Sequence, residues 1–177
     1  MAKYEVKQTA VSQVLADVRS DKIAIPELQR PFVWKTAQVR DLTDSLYNGY
    51  PVGYLITWQS VGAKLKGGQV AAHQQILIDG QQRVTALRAA IAGQPVVGKR
   101  YQRKRIAISF NPVTEEFATR TPAITRSTQW IHDIAEFFSG NSQLTFLRNY
   151  FEQNPDMDEA AVEATVAKLA GIEHAQV

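Results

Sequence analysis

The chain has 177 residues, 45% of them hydrophobic, which suits one packed domain or one domain with a helical appendage. It has no cysteine, which excludes disulfides, thiolate metal sites and a cysteine nucleophile; its histidines, His73, His132 and His174, lie far apart and lack metal-ligand spacing. The net charge is only +3, no apolar run is long enough to span a bilayer, and no apolar stretch follows Met1 to Lys7 to form a secretory signal, so a cytoplasmic protein away from membranes is expected.

In chain order, the residues to Val6 read as a short strand or a loose arm. Val11, Val14, Leu15 and Val18 recur at helical spacing and predict a helix over Ser12 to Arg19. Ile23-Ala24-Ile25 is a short strand halted by Pro26. Thr36 is a plausible N-cap for a helix through Asn48, with Val39, Leu42 and Leu46 on its apolar face. Gly49 ends that helix and Pro51 forbids its resumption. Gly53 to Trp58 has strand composition. Ser60 to Gln74, with Gly62, Gly67 and Gly68, reads as a loop or a loosely paired ribbon.

Ile76, Leu77 and Ile78 form a short apolar run of buried-strand type. Val84, Leu87 and Ile91 then recur at helical spacing, and Gly93 closes the helix. Its first turn carries Gly80, Gln81, Gln82 and Arg83. A helix N-terminus offers unpaired N–H groups and a partial positive charge that attract phosphate. Gly80 lets an anion approach the backbone, and the Arg83 guanidinium can fork onto phosphate oxygens. The plainer alternative is an Asp79 cap, a glycine turn and a surface arginine.

Lys99, Arg100, Arg103, Lys104 and Arg105 surround Tyr101 in a basic cluster. Such a run is either a solvated face or a DNA-phosphate footprint. Ile106, Ile108 and Phe110 alternate with small or polar residues, which predicts a half-buried strand from Lys104 to Phe110. A turn over Asn111 to Thr114 and a returning arm over Glu115 to Thr119 complete a hairpin. Trp130 to Phe138, Gln143 to Glu152 and Met157 to Ala170 read as helices, with a boundary near Ser139 to Ser142. The expected division is an α/β domain over 1–139 and a helical extension over 140–177, or the start of a longer helical region.

Three ordered segments carry a family resemblance. Ile25 to Trp34 has the pattern I-P-x-x-Q-R-x-x-x-W, Asp44 to Gly53 has D-S-x-x-x-G-Y-P-x-G, and Asp79 to Leu87 has D-G-Q-Q-R-x-T-A-L. Together they resemble the N-terminal domain of GmrSD-type restriction endonucleases, of the ParB/sulfiredoxin-like fold. The resemblance implies a mixed α/β (α+β) sheet with flanking helices. It implies a nucleoside triphosphate and Mg²⁺ bound by Gln29, Arg30, Asp79, Gly80, Gln81, Gln82 and Arg83. Catalytic roles would fall to Asp79, Gln81, Gln82 and Arg83, with Asp79 as metal ligand. Partition proteins of this fold have an acid and two arginines where this chain has Gln81-Gln82-Arg83, so the resemblance implies no particular nucleotide base. The implied partners are modified foreign DNA, a nuclease module on the same or another chain, and a second copy in a homodimer. DNA cleavage is not expected here, because no H-N-H-like or P-D…E-x-K cluster is present. The alternatives are a non-catalytic, nucleotide-gated DNA-binding module and a regulator that has lost the nucleotide.

Overall fold

The computed structural model describes residues 4–26, 31–59, 74–98, 100–139 and 143–177. Helix α1 (Val11–Arg19) buries Val11, Val14, Leu15 and Val18, the face its spacing predicts. It is followed by β1 (Ile23–Ala24) and then α2 (Thr36–Tyr47). Thr36 is the first helical residue of α2 and not its cap. The cap is Lys35, whose N–H is taken up by the Gln38 side-chain oxygen at 2.8 Å. The helix ends in a Schellman turn. Gly49 has φ +70°, its N–H donates to the Leu46 carbonyl at 3.1 Å, and the Tyr50 N–H donates to Ser45 at 2.8 Å.

Strand β3 (Gln75–Asp79) is the middle of a three-stranded sheet, parallel to β1 and antiparallel to β2 (Ile56–Gln59). The run Ile76 to Ile78 is not uniformly buried. Leu77 is fully buried, whereas Ile78 is 56% exposed. The register slips by one residue between the Ile56–Asp79 and Thr57–Leu77 pairs, so Ile78 is the extra residue of a bulge. Leu77 packs with Val14, Val18, Ile23 and Val84 beneath the sheet. Helix α3 (Gln81–Ala90) then buries Val84, Ala86 and Leu87. Full burial of a side chain such as Leu87 is worth about 1.5–3 kcal/mol.

Two hairpins follow. Strand β4 (Val96–Val97) pairs with β5 (Arg103–Lys104), and β6 (Ile108–Asn111) pairs with β7 (Glu116–Thr119). The predicted half-buried strand is instead buried on both faces, because β6 lies between α2 and the short α5 (Ile134–Ser139). Its inward polar groups are satisfied locally: Ser109 Oγ donates to the His132 carbonyl at 2.7 Å, and Asn111 Oδ1 accepts the Val113 N–H at 2.9 Å. The helix expected from Trp130 begins only at Ile134. Ile131 exchanges backbone bonds with Phe110, and Asp133 Oδ1 caps the helix through the Ala135 N–H at 3.0 Å. A short helix α4 (Pro122–Arg126), which the apolar pattern does not predict, is capped by Thr121 with Pro122 in its first position.

The expected division of the chain falls at 140–142, outside the described residues. Helices α6 (Gln143–Gln153) and α7 (Glu159–Ala170) contribute Tyr150, Val162, Val166 and Leu169 to the same core as Val39, Leu87 and Phe110. A clasp fastens α7 to α2 and to the β6–β7 turn. The Tyr47 hydroxyl donates to Glu115 Oε2 at 2.7 Å, and Lys168 Nζ reaches the same oxygen at 2.9 Å while lying 4.0 Å above the Tyr47 ring. Burial, then the Glu115 carboxylate, pushes the Tyr47 phenol well above its ordinary range. The hydrogen bonds from Tyr47 and Lys168 hold the Glu115 carboxyl below its ordinary range. The mixed α/β class expected from the sequence is thus the class of the structure: small mixed sheets with flanking helices.

Candidate functional site

The candidate site is built where β3 turns into α3. Gly80, and not Asp79, is the N-cap residue of α3, with φ +92° in the left-handed region. Gly80 has no side chain with which to cap the helix, and none of the described residues supplies one. The N–H groups of its first turn therefore point out of the helix with no capping partner among the described residues. The left-handed conformation favours glycine here, and a Cβ on residue 80 would stand 2.4 Å from Leu55 Cδ2, so the Leu55 side chain would also have to move. Asp79 points outward: its side chain is 67% exposed, with Oδ2 3.7 Å from Arg83 Nη2.

Arg83 is held by the chain itself. Its Nη1 donates to the Val52 carbonyl at 2.8 Å and its Nη2 to the Tyr54 carbonyl at 2.6 Å. The guanidinium thus grips the backbone of the second motif. The reason for Gly53 follows: with φ +85°, it lies where a Cβ would stand 2.8 Å from Arg83 Nη1. Gly53 of the second motif and Gly80 of the third form one interlocked unit with Arg83 and Leu55, a relation that spacing in the sequence does not reveal.

Gln82 fastens the first motif to this unit. Its Oε1 accepts the Val33 N–H at 2.9 Å, and its Nε2 lies 3.4 Å from the Pro31 carbonyl. Gln29 and Arg30, which directly precede Pro31 in sequence, lie outside the described residues. Gln81 differs from both neighbours. Its Nε2 is buried and has no hydrogen-bond partner among the described residues. A buried donor left unpaired costs about 1–3 kcal/mol, so it calls for a physical reason.

The basic cluster divides. Lys99 lies outside the described residues. Arg100, Arg103 and Lys104 are exposed on the β4–β5 hairpin. Arg105 is tied down by the fold: Nη1 donates to the Gly93 carbonyl at 2.6 Å, and Nη2 pairs with Asp133 Oδ2 at 2.8 Å. Asp133 is only 2% exposed, and nothing in the sequence marks it as that partner.

An open cavity of about 500 Å³ lies elsewhere, lined by Asp41, Asp44, Glu115, Glu116, Arg40 and Trp130 among others. With four carboxylates to one guanidinium it repels phosphate, and none of Asp79 to Arg83 lines it. Among the described residues no group of three or more His, Cys, Asp or Glu side chains could hold a metal ion. No helix among them is long and apolar enough to cross a membrane.

The family model for the GmrSD restriction endonuclease N-terminal domain matches residues 11–170. The chain belongs to this family. The match runs from α1 through α7, so the helices after the expected boundary are part of the GmrSD N-terminal domain. Membership assigns the chain a role in a restriction system and implies DNA as the substrate and a nuclease partner domain in that system. No curated protein matches the chain.

Proposed function

We propose that this GmrSD-type domain is the nucleotide-binding sensor of a cytoplasmic system that restricts modified foreign DNA. The nucleoside triphosphate would bind against the first turn of α3. The observation that carries this reading is the start of α3, uncapped among the described residues, with the buried Gln81 Nε2 beside it, which has no partner among them. The helix start supplies N–H groups and a partial positive charge, and the Gln81 N–H₂ supplies a directed donor. A phosphate oxygen would meet the N–H groups of the helix start directly, and the Gln81 amide once that buried side chain turns toward it.

The other motif residues take distinct roles in this reading. Arg83 shapes the wall by holding Val52 and Tyr54, and its Nε–H lies outside those two bonds. Gln82 positions the segment that follows Gln29 and Arg30, the further phosphate donors. The exposed Asp79 carboxylate suits Mg²⁺, which commonly takes one or two carboxylates together with substrate phosphates and waters. Among the described residues the donor set fits a metal that arrives with the nucleotide and does not fit a metal held by protein alone. For hydrolysis, Asp79 with Gln81 or Gln82 would orient a water.

A binding-only switch is the second reading. It is favoured by the engagement of Arg83 with backbone carbonyls, which keeps that guanidinium from moving freely onto a developing charge. The test is thermal unfolding of the full chain with each common triphosphate and Mg²⁺, alongside phosphate release. At 100 times the dissociation constant, binding adds about 2.7 kcal/mol, which raises Tm by about 5–10 °C in a chain of this size. No shift with any triphosphate would refute the nucleotide site. A shift without phosphate release selects the switch.

A further inference from the structure

We infer that Tyr101, at the tip of the β4–β5 hairpin, stacks on a nucleobase of the DNA while Arg100 and Arg103 hold the phosphates beside it. The tip is closed by two backbone bonds, from the Tyr101 N–H to the Gly98 carbonyl at 2.9 Å and from the Gly98 N–H to the Gln102 carbonyl at 3.0 Å. This closure puts Tyr101 at φ +58°, in the left-handed region where a bulky side chain is disfavoured. Glycine or asparagine adopts that conformation at lower cost. The tyrosine gains nothing from the fold in return. It is 85% exposed, and no ring contact involves it among the described residues. A strained, solvated aromatic ring at a loop tip is a contact group in search of a partner.

The surrounding charge identifies the partner's chemistry. No Asp or Glu occurs between Asp79 and Glu115, a span that contains Arg83, Arg88, Lys99, Arg100, Arg103, Lys104 and Arg105. Of these, Arg100, Arg103 and Lys104 are exposed on the hairpin. Arg103 pairs across from Val97, which is 43% exposed, so the two share the solvent face of the ribbon. A two-stranded ribbon fits a DNA groove, and an aromatic face stacks on a base of any sequence. Cations that bind phosphate with an aromatic between them are the pattern of a surface that grips backbone and stacks on an opened base. An acidic protein would be met by the cations alone and gives the ring no flat partner.

This inference rests on the DNA-facing half of the reading above and not on its nucleotide half, so the experiment omits nucleotide. The full chain is titrated against a duplex carrying one unpaired 2-aminopurine, and both affinity and base fluorescence are read. Tyr101→Gly removes the ring and suits the left-handed backbone, so it folds at least as stably as the parent. Its affinity is expected to fall about 10- to 100-fold, the scale of one lost base–aromatic stack, with an unchanged salt slope. Tyr101→Trp restores the affinity and the fluorescence change. Replacing Arg100 and Arg103 by glutamine flattens the salt slope and keeps the fluorescence change at saturation. Parental affinity in Tyr101→Gly, or a base signal indifferent to the ring, overturns the inference. So does a parent that binds no DNA at all, whatever the nucleotide experiment shows.

Discussion

Replacing Gln81 by methionine separates a binding group from a structural one, because the two roles predict opposite signs. Gln81 Nε2 is buried with no partner among the described residues, so in the absence of nucleotide the amide is a liability. Methionine keeps the length and flexibility of the side chain and removes the orphaned donor. Relief of even the low end of the penalty for an unpaired buried donor, about 1 kcal/mol, raises Tm by about 2–4 °C in a domain of this size. With nucleotide the sign reverses. A hydrogen bond to a charged phosphate oxygen is worth about 1.5–3 kcal/mol, so Gln81→Met should weaken triphosphate binding by roughly 10- to 150-fold. The assay is a pair of melting curves, with and without triphosphate and Mg²⁺, completed by isothermal titration. A variant that melts below the parent without nucleotide, yet binds triphosphate normally, would refute the reasoning.

Gly80→Ala forces a side chain into the left-handed region and a Cβ to within 2.4 Å of Leu55 Cδ2, so roughly 2–4 kcal/mol of stability should be lost. Leu55→Ala in the same chain should recover part of the loss, and strict additivity in urea unfolding would show that the clash is not its source. Arg83→Ala removes two charged bonds to Val52 and Tyr54 and should destabilise the chain by about 1.5–3 kcal/mol, with Arg83→Lys recovering little because one ammonium lacks the fork; unaltered unfolding midpoints would contradict this. Stability should also fall on both sides of neutrality. The raised Tyr47 phenol contributes stability that is present below about pH 10 and lost as pH rises beyond it, and the lowered Glu115 carboxyl contributes stability that is present above about pH 4.5 and lost as pH falls below it. Tyr47→Phe should flatten the alkaline limb of a stability–pH curve and Glu115→Gln the acid limb; limbs unmoved by either change would exclude the clasp as their source.

The long helices were legible because their signal is periodic. Val11 to Val18, Val39 to Leu46 and Val84 to Ile91 each mark a buried stripe, and each stripe faces the core. Helix α4 escaped because it buries no residue and so leaves no stripe, although Thr121-Pro122 carries the mark of a helix start. Ile78 misled because an apolar run does not say whether a second layer covers the outer face of the strand. Strand β6 erred the other way: alternation suggested one wet face, but Ser109 and Asn111 are buried with their own bonds. At the site, the motif order brought the right segments into view, and the structure joins them through Gln82 and Arg83. The partners of those two side chains are backbone groups of Pro31, Val33, Val52 and Tyr54. Every residue carries such groups, so no sequence pattern can name them. The pairing of Arg105 with Asp133 was hidden for a related reason, since it spans separate elements.

The stretch Pro31–Val33 makes bonds in two directions at once. Val33 donates its N–H to Gln82 at the start of α3, while the N–H of the preceding Phe32 bonds the Val97 carbonyl at 3.0 Å, and Phe32 pairs in parallel with Gly98 at the foot of the β4–β5 hairpin. The ring of Pro31 stiffens the stretch by fixing its own φ. A peptide unit fastened on successive residues to two different bodies links those bodies. A shift of the first turn of α3 must either break the Val33 bond or pull Phe32 along, and the hairpin root follows Phe32.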